Sequence, residues 1–241
     1  MRYLDYTVAF CALMVGGSSL VATCLFLLLG PLFHIDLGLS HPAKQFLNTS
    51  LCLVFFAQHS GMVRQSIRKR FSLLRSARYY AALYAIASGI SLWLLIGLWQ
   101  PTGSLLFAFE GPARLLVRSL FVVSIIGFIW GNKALGHIDG LGVEAVLKPK
   151  APAAAPRRPQ LSVKGPYRFV RHPLYLCMMM MIWSHPDLTA DRLLLNILWS
   201  TWIVIGARWE ERDLTTAYGK PYEEYQRRVP MLVPFTKKDV R

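Results

Sequence analysis

An all-α fold, a polytopic bundle of transmembrane helices, is what this sequence predicts, and three observations predict it. Hydrophobic residues make up 54% of the 241-residue chain, yet its net charge is +14. The two properties are segregated: apolar runs occupy 7–33, 46–63, 79–99, 115–136, 173–184 and 193–207, and most lysines and arginines lie between them. The basic residues also fall on alternate connections. Arg2, 64–78, 133–171 and the chain from Arg208 onward hold 23 of the 27, while Lys44, Arg114, Arg118 and Arg192 are the remainder. A cytoplasmic excess of Lys and Arg orients membrane helices, so the chain is expected to make about six crossings with both termini and the C-terminal segment cytoplasmic.

The elements follow in order. Run 7–33 is too long for a signal peptide and stays apolar beyond Gly16-Gly17-Ser18-Ser19, so it reads as a retained span. Run 46–63 closes on Gln58-His59-Ser60, consecutive polar residues that need partners near a membrane. Interhelical hydrogen bonding is the plainer role for them, and lining a substrate pocket the sharper one. The segment 64–78 interleaves basic and apolar residues, an interfacial pattern. The third run ends at Trp93 and Trp99, suited to the aromatic belt, before the turn Gln100-Pro-Thr-Gly-Ser. The fourth leads into Gly136-His137-Ile138-Asp139-Gly140, which reads as a turn and has no Rossmann glycine pattern.

The first four runs approach the roughly 20 residues that a span needs. The last two hold only 12 and 15 residues and read as a short, tilted or protein-buried hairpin. The organisation expected is N-terminal transmembrane helices over 1–147, a Pro/Ala-rich basic linker over 148–162, and a chemistry-bearing segment over 163–241. Cys11, Cys24, Cys52 and Cys177 all sit in apolar runs without metal or redox spacing. They read as packing residues, and no metal site is expected. The charge flanks spans, which favours anionic lipid headgroups over nucleic acid.

The polar residues concentrate around the hairpin. Arg171-His172-Pro173 opens its first helix, with Pro173 suited to the first turn. Asp191 is a candidate cap for the returning helix, which ends in Glu210-Glu211. A hairpin of two similar helices brings its ends together, so His172 and Glu210 are expected to be neighbours. Gly219 and Pro221 then mark a stop and a restart before a polar helix, in which Glu223/Arg227 and Glu224/Arg228 have i,i+4 spacing.

The order Gly165-Pro-Tyr-x-x-x-Arg171-His172-Pro173-x-Tyr175, hairpin, Glu210-Glu211-x-x-Leu214, Tyr218-Gly-x-x-Tyr222-x-x-Tyr225-x-x-x-Val229-Pro230 resembles the isoprenylcysteine carboxyl methyltransferase type of membrane methyltransferase over about 163–235. Phe56-Ala-Gln58-His59-Ser60-x-Met62-x-Arg64, His137-Ile-Asp139-x-x-Gly142 and Arg228-Val-Pro-Met-Leu-Val-Pro234 extend the likeness toward bacterial methanethiol S-methyltransferases and NnrU-like proteins. The resemblance implies a helical membrane enzyme that uses S-adenosylmethionine. It implies a cofactor site at Tyr167, His172, Pro173, Tyr175, Leu176, Glu210, Glu211 and Tyr222, with Arg171 and Arg228 serving substrate placement and turnover.

Methyl transfer from a sulfonium needs orientation, a desolvated path and a deprotonated nucleophile. His59, His137 and His172 are candidate bases, with His59 singled out, and Arg171 and Arg228 can stabilise a thiolate. A small thiol such as methanethiol, methylated to dimethyl sulfide at the cytoplasmic face of a bacterial inner membrane, is the expectation. Alternatives are carboxyl methylation of an isoprenylated cysteine, N-methylation of a phospholipid, and a non-catalytic NnrU-like accessory protein.

Overall fold

The computed structural model describes residues 2–64, 77–136, 139–148, 161 and 163–234. Most of the basic segment 64–78, His137 and nearly all of the Pro/Ala-rich linker lie outside the described residues. Helices dominate the chain: α1 (Arg2–Cys11), α2 (Ser18–Leu29), α3 (His41–Val63), α4 (Tyr80–Leu98), α5 (Gly111–Leu135), α6 (Val143–Leu147), α7 (Pro173–Ile182), α8 (Ala190–Tyr218) and α9 (Lys220–Arg228). Among the described residues, three stretches are long and apolar enough to cross a membrane: Tyr3–Leu29, Tyr80–Leu98 and Gly111–Leu135. The first runs α1 into α2 through a π-helical turn at Ala12–Gly17. α7 has 10 residues, about 15 Å at 1.5 Å per residue, or half of a hydrocarbon core.

One addition to the helical expectation is a two-stranded sheet of β1 (Leu105–Ala108) and β2 (Asp187–Thr189). β1 follows the turn at Gln100–Ser104, and β2 lies in the connection between the two hairpin helices. Pairing satisfies their backbone groups, with Ala190 N donating to Ser104 O at 2.9 Å and Phe109 N to Pro186 O at 3.0 Å.

The chain forms two compact units. The first comprises residues 1–106, 139–154 and 188–198. Here α4 packs against the π-helical turn at Gly89, where a Cβ would meet Val15 O at 2.7 Å. The buried Gln100 exchanges 2.9 Å hydrogen bonds with Asn48, Gln100 N to Asn48 Oδ1 and Asn48 Nδ2 to Gln100 O. Asp191 takes a different part from the expected helix cap. Its carboxylate accepts from Trp99 Nε1 (3.1 Å), Thr102 N (3.2 Å) and Thr102 Oγ1 (2.8 Å). The cap of α8 is Thr189, whose Oγ1 accepts from Arg192 N.

The second unit comprises 107–138, 155–187 and 199–241. Gly127 and Gly131 lie one turn apart on α5 and admit α7. A Cβ at either would stand 2.6 Å from Cys177 Sγ or Leu174 Cδ2 respectively. Small residues at this spacing allow close helix approach inside a membrane. The result fixes α7 against a long span and sets the residues just before it at the span's end.

Candidate active site

The site in the second unit begins with a 3₁₀ turn at Gly165–Arg168 and an extended approach to α7. Arg171 N donates to Pro230 O (2.9 Å) and His172 N to Met231 O (3.1 Å), so the segment after α9 lies along this approach. Pro173 occupies the first turn of α7, where its missing N–H costs nothing. Leu176 N closes that turn on His172 O at 3.1 Å. α8 delivers Glu210 and Glu211, and Gly219, with φ +64°, lets the chain turn into α9.

Glu211 is the hub. Arg171 clasps it in bidentate fashion, Nε to Oε1 at 2.6 Å and Nη2 to Oε2 at 2.7 Å. His172 Nε2 donates at 3.1 Å, the Tyr222 hydroxyl at 3.2 Å and Gln226 Nε2 at 2.8 Å. Five donors therefore converge on one carboxylate, which offers about four lone-pair sites. The remaining guanidinium nitrogen of Arg171 reaches the carbonyls of Gln226 (3.0 Å) and Val229. Burial works to raise the Glu211 carboxyl, but hydrogen bonds from His172 and Arg171, the Arg171 charge and Gln226 outweigh it and hold it at about 2.

Glu210 differs sharply from its neighbour. Its side chain is 45% exposed against 12% for Glu211, and Oε2 stands 3.7 Å from His172 Nδ1, beyond hydrogen-bond distance. The His172 ring stacks on Tyr175, with centroids 5.4 Å apart at 17°, and Tyr218 lies near-parallel to Tyr222 at 6.4 Å. Tyr222 and Tyr225 are buried, and the Tyr225 hydroxyl donates to the Tyr167 carbonyl. Burial, reinforced by the Glu211 charge, pushes the Tyr222 phenol upward. Tyr225 is pushed up to about 12 by burial and Glu211, with Arg171 opposing. Burial and then the Glu210 charge do the same to Tyr167. All three phenols are neutral near pH 7, and Tyr222 and Tyr225 donate.

The chain has relatives among known proteins. Residues 115–221 match a family model described as phospholipid methyltransferase. A methanethiol S-methyltransferase of Pseudomonas sp. is 33% identical over 198 residues, covering 82% of this chain and 76% of that protein. The chain belongs to the methanethiol S-methyltransferase family. A second member, from Pseudomonas deceptionensis, is 30% identical, with 82% of this chain and 75% of the relative covered. Methanethiol S-methyltransferase 1 of Bradyrhizobium diazoefficiens is also 30% identical, over 78% of this chain and 66% of its own length. No solved structure matches. With its three apolar spans, the chain is an integral-membrane methyltransferase and uses a methyl donor.

Within this family member, Arg171, His172, Glu210, Glu211 and Tyr222 come together, with Tyr167, Pro173, Tyr175 and Leu176 along the same approach and first turn of α7. Arg228 stands apart at the end of α9, 80% exposed and 4.0 Å from Glu224. Gln226 is a member of the cluster that the motif does not name, and Tyr225 stands in the motif but not among the expected cofactor-site residues. Their signal was the helical spacing 222, 225 and 226, which puts all three side chains on one face.

His59 belongs to the first unit and has its own surroundings. The Tyr84 hydroxyl lies 2.9 Å from Nδ1 and 3.0 Å from Nε2, and Ser88 Oγ lies 3.5 Å from Nδ1. Gln58 Nε2 meets Ser88 Oγ (3.4 Å) and Met62 Sδ (3.2 Å), and its Oε1 accepts from Ser91 at 3.4 Å. Tyr84, Ser88 and Ser91 recur at i, i+4 and i+7 along α4, a polar stripe in an apolar run. Among the described residues, no group of three or more His, Cys, Asp or Glu could hold a metal ion.

Proposed function

We propose that the protein transfers a methyl group from S-adenosylmethionine to the sulfur of a small thiol such as methanethiol, forming dimethyl sulfide. The reading carries with it a bacterial inner-membrane location, about six crossings and a reaction at the cytoplasmic face. The charge distribution along the sequence supports that orientation. The single observation that carries the proposal is the unequal Glu pair: Glu211 is saturated by the chain's own donors, while Glu210 is left open beside His172. This donor set fits the cofactor, which presents cationic and N–H or O–H groups to a carboxylate and a flat purine to aromatic rings.

When bound, S-adenosylmethionine supplies a methyl carbon made electrophilic by its sulfonium. Glu210 is assigned the polar hold on the cofactor, and Tyr175 and Tyr218 offer aromatic faces. Arg171 and Glu211 position this site rather than react, since their polar atoms are engaged with each other and with α9. His59, held by Tyr84, is assigned the thiol proton, and Arg228 is assigned the approach of the acceptor. Held at Glu210 between Tyr175 and Tyr218, the donor would supply the methyl that the deprotonated acceptor sulfur takes up. The proton remains on the base, and both sulfur products are neutral thioethers.

One observation favours a second reading. The family model over 115–221 is described by phospholipid methylation, so a lipid amine is the rival acceptor. Calorimetric titration of detergent-purified protein with S-adenosylmethionine comes first, then turnover with methanethiol or phosphatidylethanolamine. Cofactor binding with dimethyl sulfide in the headspace is the expected result. Binding with methylated lipid alone would replace the acceptor, and no binding by folded protein would leave a non-catalytic accessory role.

A further inference from the structure

A second polar feature of the second unit adjoins the site described above and shares only Gly165 with it. At the C-terminal end of α5 a cleft of about 580 Å³ opens between Trp130, Lys133, Leu135 and Gly136 on one side and Lys164 and Gly165 on the other. Two ammonium groups from separate segments share this cleft, and among the described residues no acidic side chain lines it. Both lysines are exposed, and neither forms an ion pair with another described residue. Gly165 makes the cleft possible. Its φ is +57°, and a Cβ there would stand 3.0 Å from Ala134 Cβ and 3.1 Å from Trp130 Nε1. Only glycine lets the Lys164 segment lie this close to α5 in that conformation.

Depth identifies the ligand. α5 has 25 residues, about 37 Å of helix, which exceeds a hydrocarbon core of roughly 30 Å. Its last turn therefore stands at headgroup level. Trp130 lies there with Leu135 and Phe169 exposed nearby, an amphipathic ring and apolar side chains suited to that interface. Ile126 and Ile129, 62% and 52% exposed, continue an apolar face from the cleft toward the middle of the span. Acyl chains along that face would bring a phosphate to the two lysines.

We propose that this cleft is a binding site for an anionic phosphoglyceride, whose phosphate is held by Lys133 and Lys164 while its chains lie on α5. The lipid is a resident ligand, not a methyl acceptor, and the proposal stands whichever acceptor the enzyme uses. Lys164 and Gly165 continue directly into Pro166 and Tyr167, whose carbonyl holds Tyr225, so the bound lipid adjoins one end of the catalytic segment.

The test is native mass spectrometry of the delipidated full-length protein, titrated with phosphatidylglycerol or phosphatidylcholine of the same acyl chains. Two lysines near a headgroup account for a preference of roughly tenfold to thirtyfold for the anionic lipid. The double variant Lys133→Gln/Lys164→Gln is expected to lose that preference while taking up phosphatidylcholine as before, with unchanged thermal unfolding. Equal uptake of the two lipids by the wild type, or a preference that survives in the double variant, would overturn the proposal. So would displacement of phosphatidylglycerol by an equal concentration of glycerol phosphate, which would mark a site for free anions.

Discussion

The two polar clusters of this molecule satisfy their groups by opposite means. In the second unit a full charge pair, Arg171–Glu211, has side chains only 9% and 12% exposed and is closed by short hydrogen bonds of 2.6–2.8 Å. In the first unit His59, Tyr84, Ser88, Gln58 and Ser91 form a neutral cluster whose links run from 2.9 to 3.5 Å. A buried charge without its partner is far more costly than an unpaired neutral group. The charged cluster therefore has to persist for the fold to survive, whereas the neutral one tolerates rearrangement. That difference separates a cluster that carries stability from one that can lose a member cheaply, and four experiments can break or sharpen it.

The largest effect is expected from removing one member of the pair. Glu211→Gln leaves the Arg171 guanidinium without a counter-charge and should cost about 3–5 kcal/mol of stability, read as a lowered unfolding midpoint in detergent. Replacing both partners with apolar residues should recover much of that loss, because no unpaired charge remains. A single variant within about 1 kcal/mol of wild type would make the pair a surface-like contact and remove the contrast between the clusters.

Glu210→Gln probes the other half of the asymmetry. The exposed neighbour should leave the unfolding midpoint unchanged and weaken S-adenosylmethionine binding by tenfold or more, the scale of one charge-assisted hydrogen bond. The two glutamates stand about 100° apart around α8, so one substitution should change stability and the other affinity. If both variants lose stability equally, the division of labour is wrong.

Acid titration gives an intermediate effect with a defined sign. The Glu211 carboxyl is depressed from its ordinary 4.5 to about 2, so the unfolded chain binds its proton first as pH falls. The stability contributed by Glu211 is complete above about pH 4.5 and is lost as pH falls through 2. Unfolding midpoints measured between pH 5 and 2 should fall more steeply in the wild type than in Glu211→Gln. Parallel slopes would show that the carboxyl titrates normally.

Much of the charged cluster was legible in the sequence, and for a physical reason. Pro173 fixes where α7 starts and the chain reverses after it, so the return of the glutamates toward His172 follows from the hairpin. The two helices are nonetheless unequal, 10 residues in α7 and 29 in α8, rather than of the similar lengths expected. Which glutamate faces Arg171 does not follow, because adjacent residues on a helix are interchangeable until a tertiary partner selects one. Gln226 escaped notice for the same reason: its role comes from the rotation of α9 rather than from its neighbours. The strands β1 and β2 were also not legible, since Leu105–Ala108 has no alternation of exposure and is specified by its partner strand. Asp191 was placed at the right helix end with the wrong role. A carboxylate at a helix start can serve its own N–H groups or another segment, and here Trp99 and Thr102 claim it.

The smallest effect on stability, and the most informative about chemistry, is expected at Tyr84. Tyr84→Phe removes one neutral hydroxyl from His59 and should cost only about 0.5–1.5 kcal/mol, the net worth of one hydrogen bond. If His59 accepts the acceptor's proton, the loss of its partner changes both its orientation and its basicity. The pH profile of kcat should then move while the S-adenosylmethionine affinity stays put. His59→Gln keeps hydrogen-bonding capacity but cannot accept the proton at neutral pH, so it should lower kcat far more than Tyr84→Phe does. A structural cluster predicts the reverse pattern, in which the glutamine restores full turnover and the pH profile is unmoved in both variants. Because neither substitution strands a charge, a change in rate here would report on proton transfer rather than on the collapse of the fold.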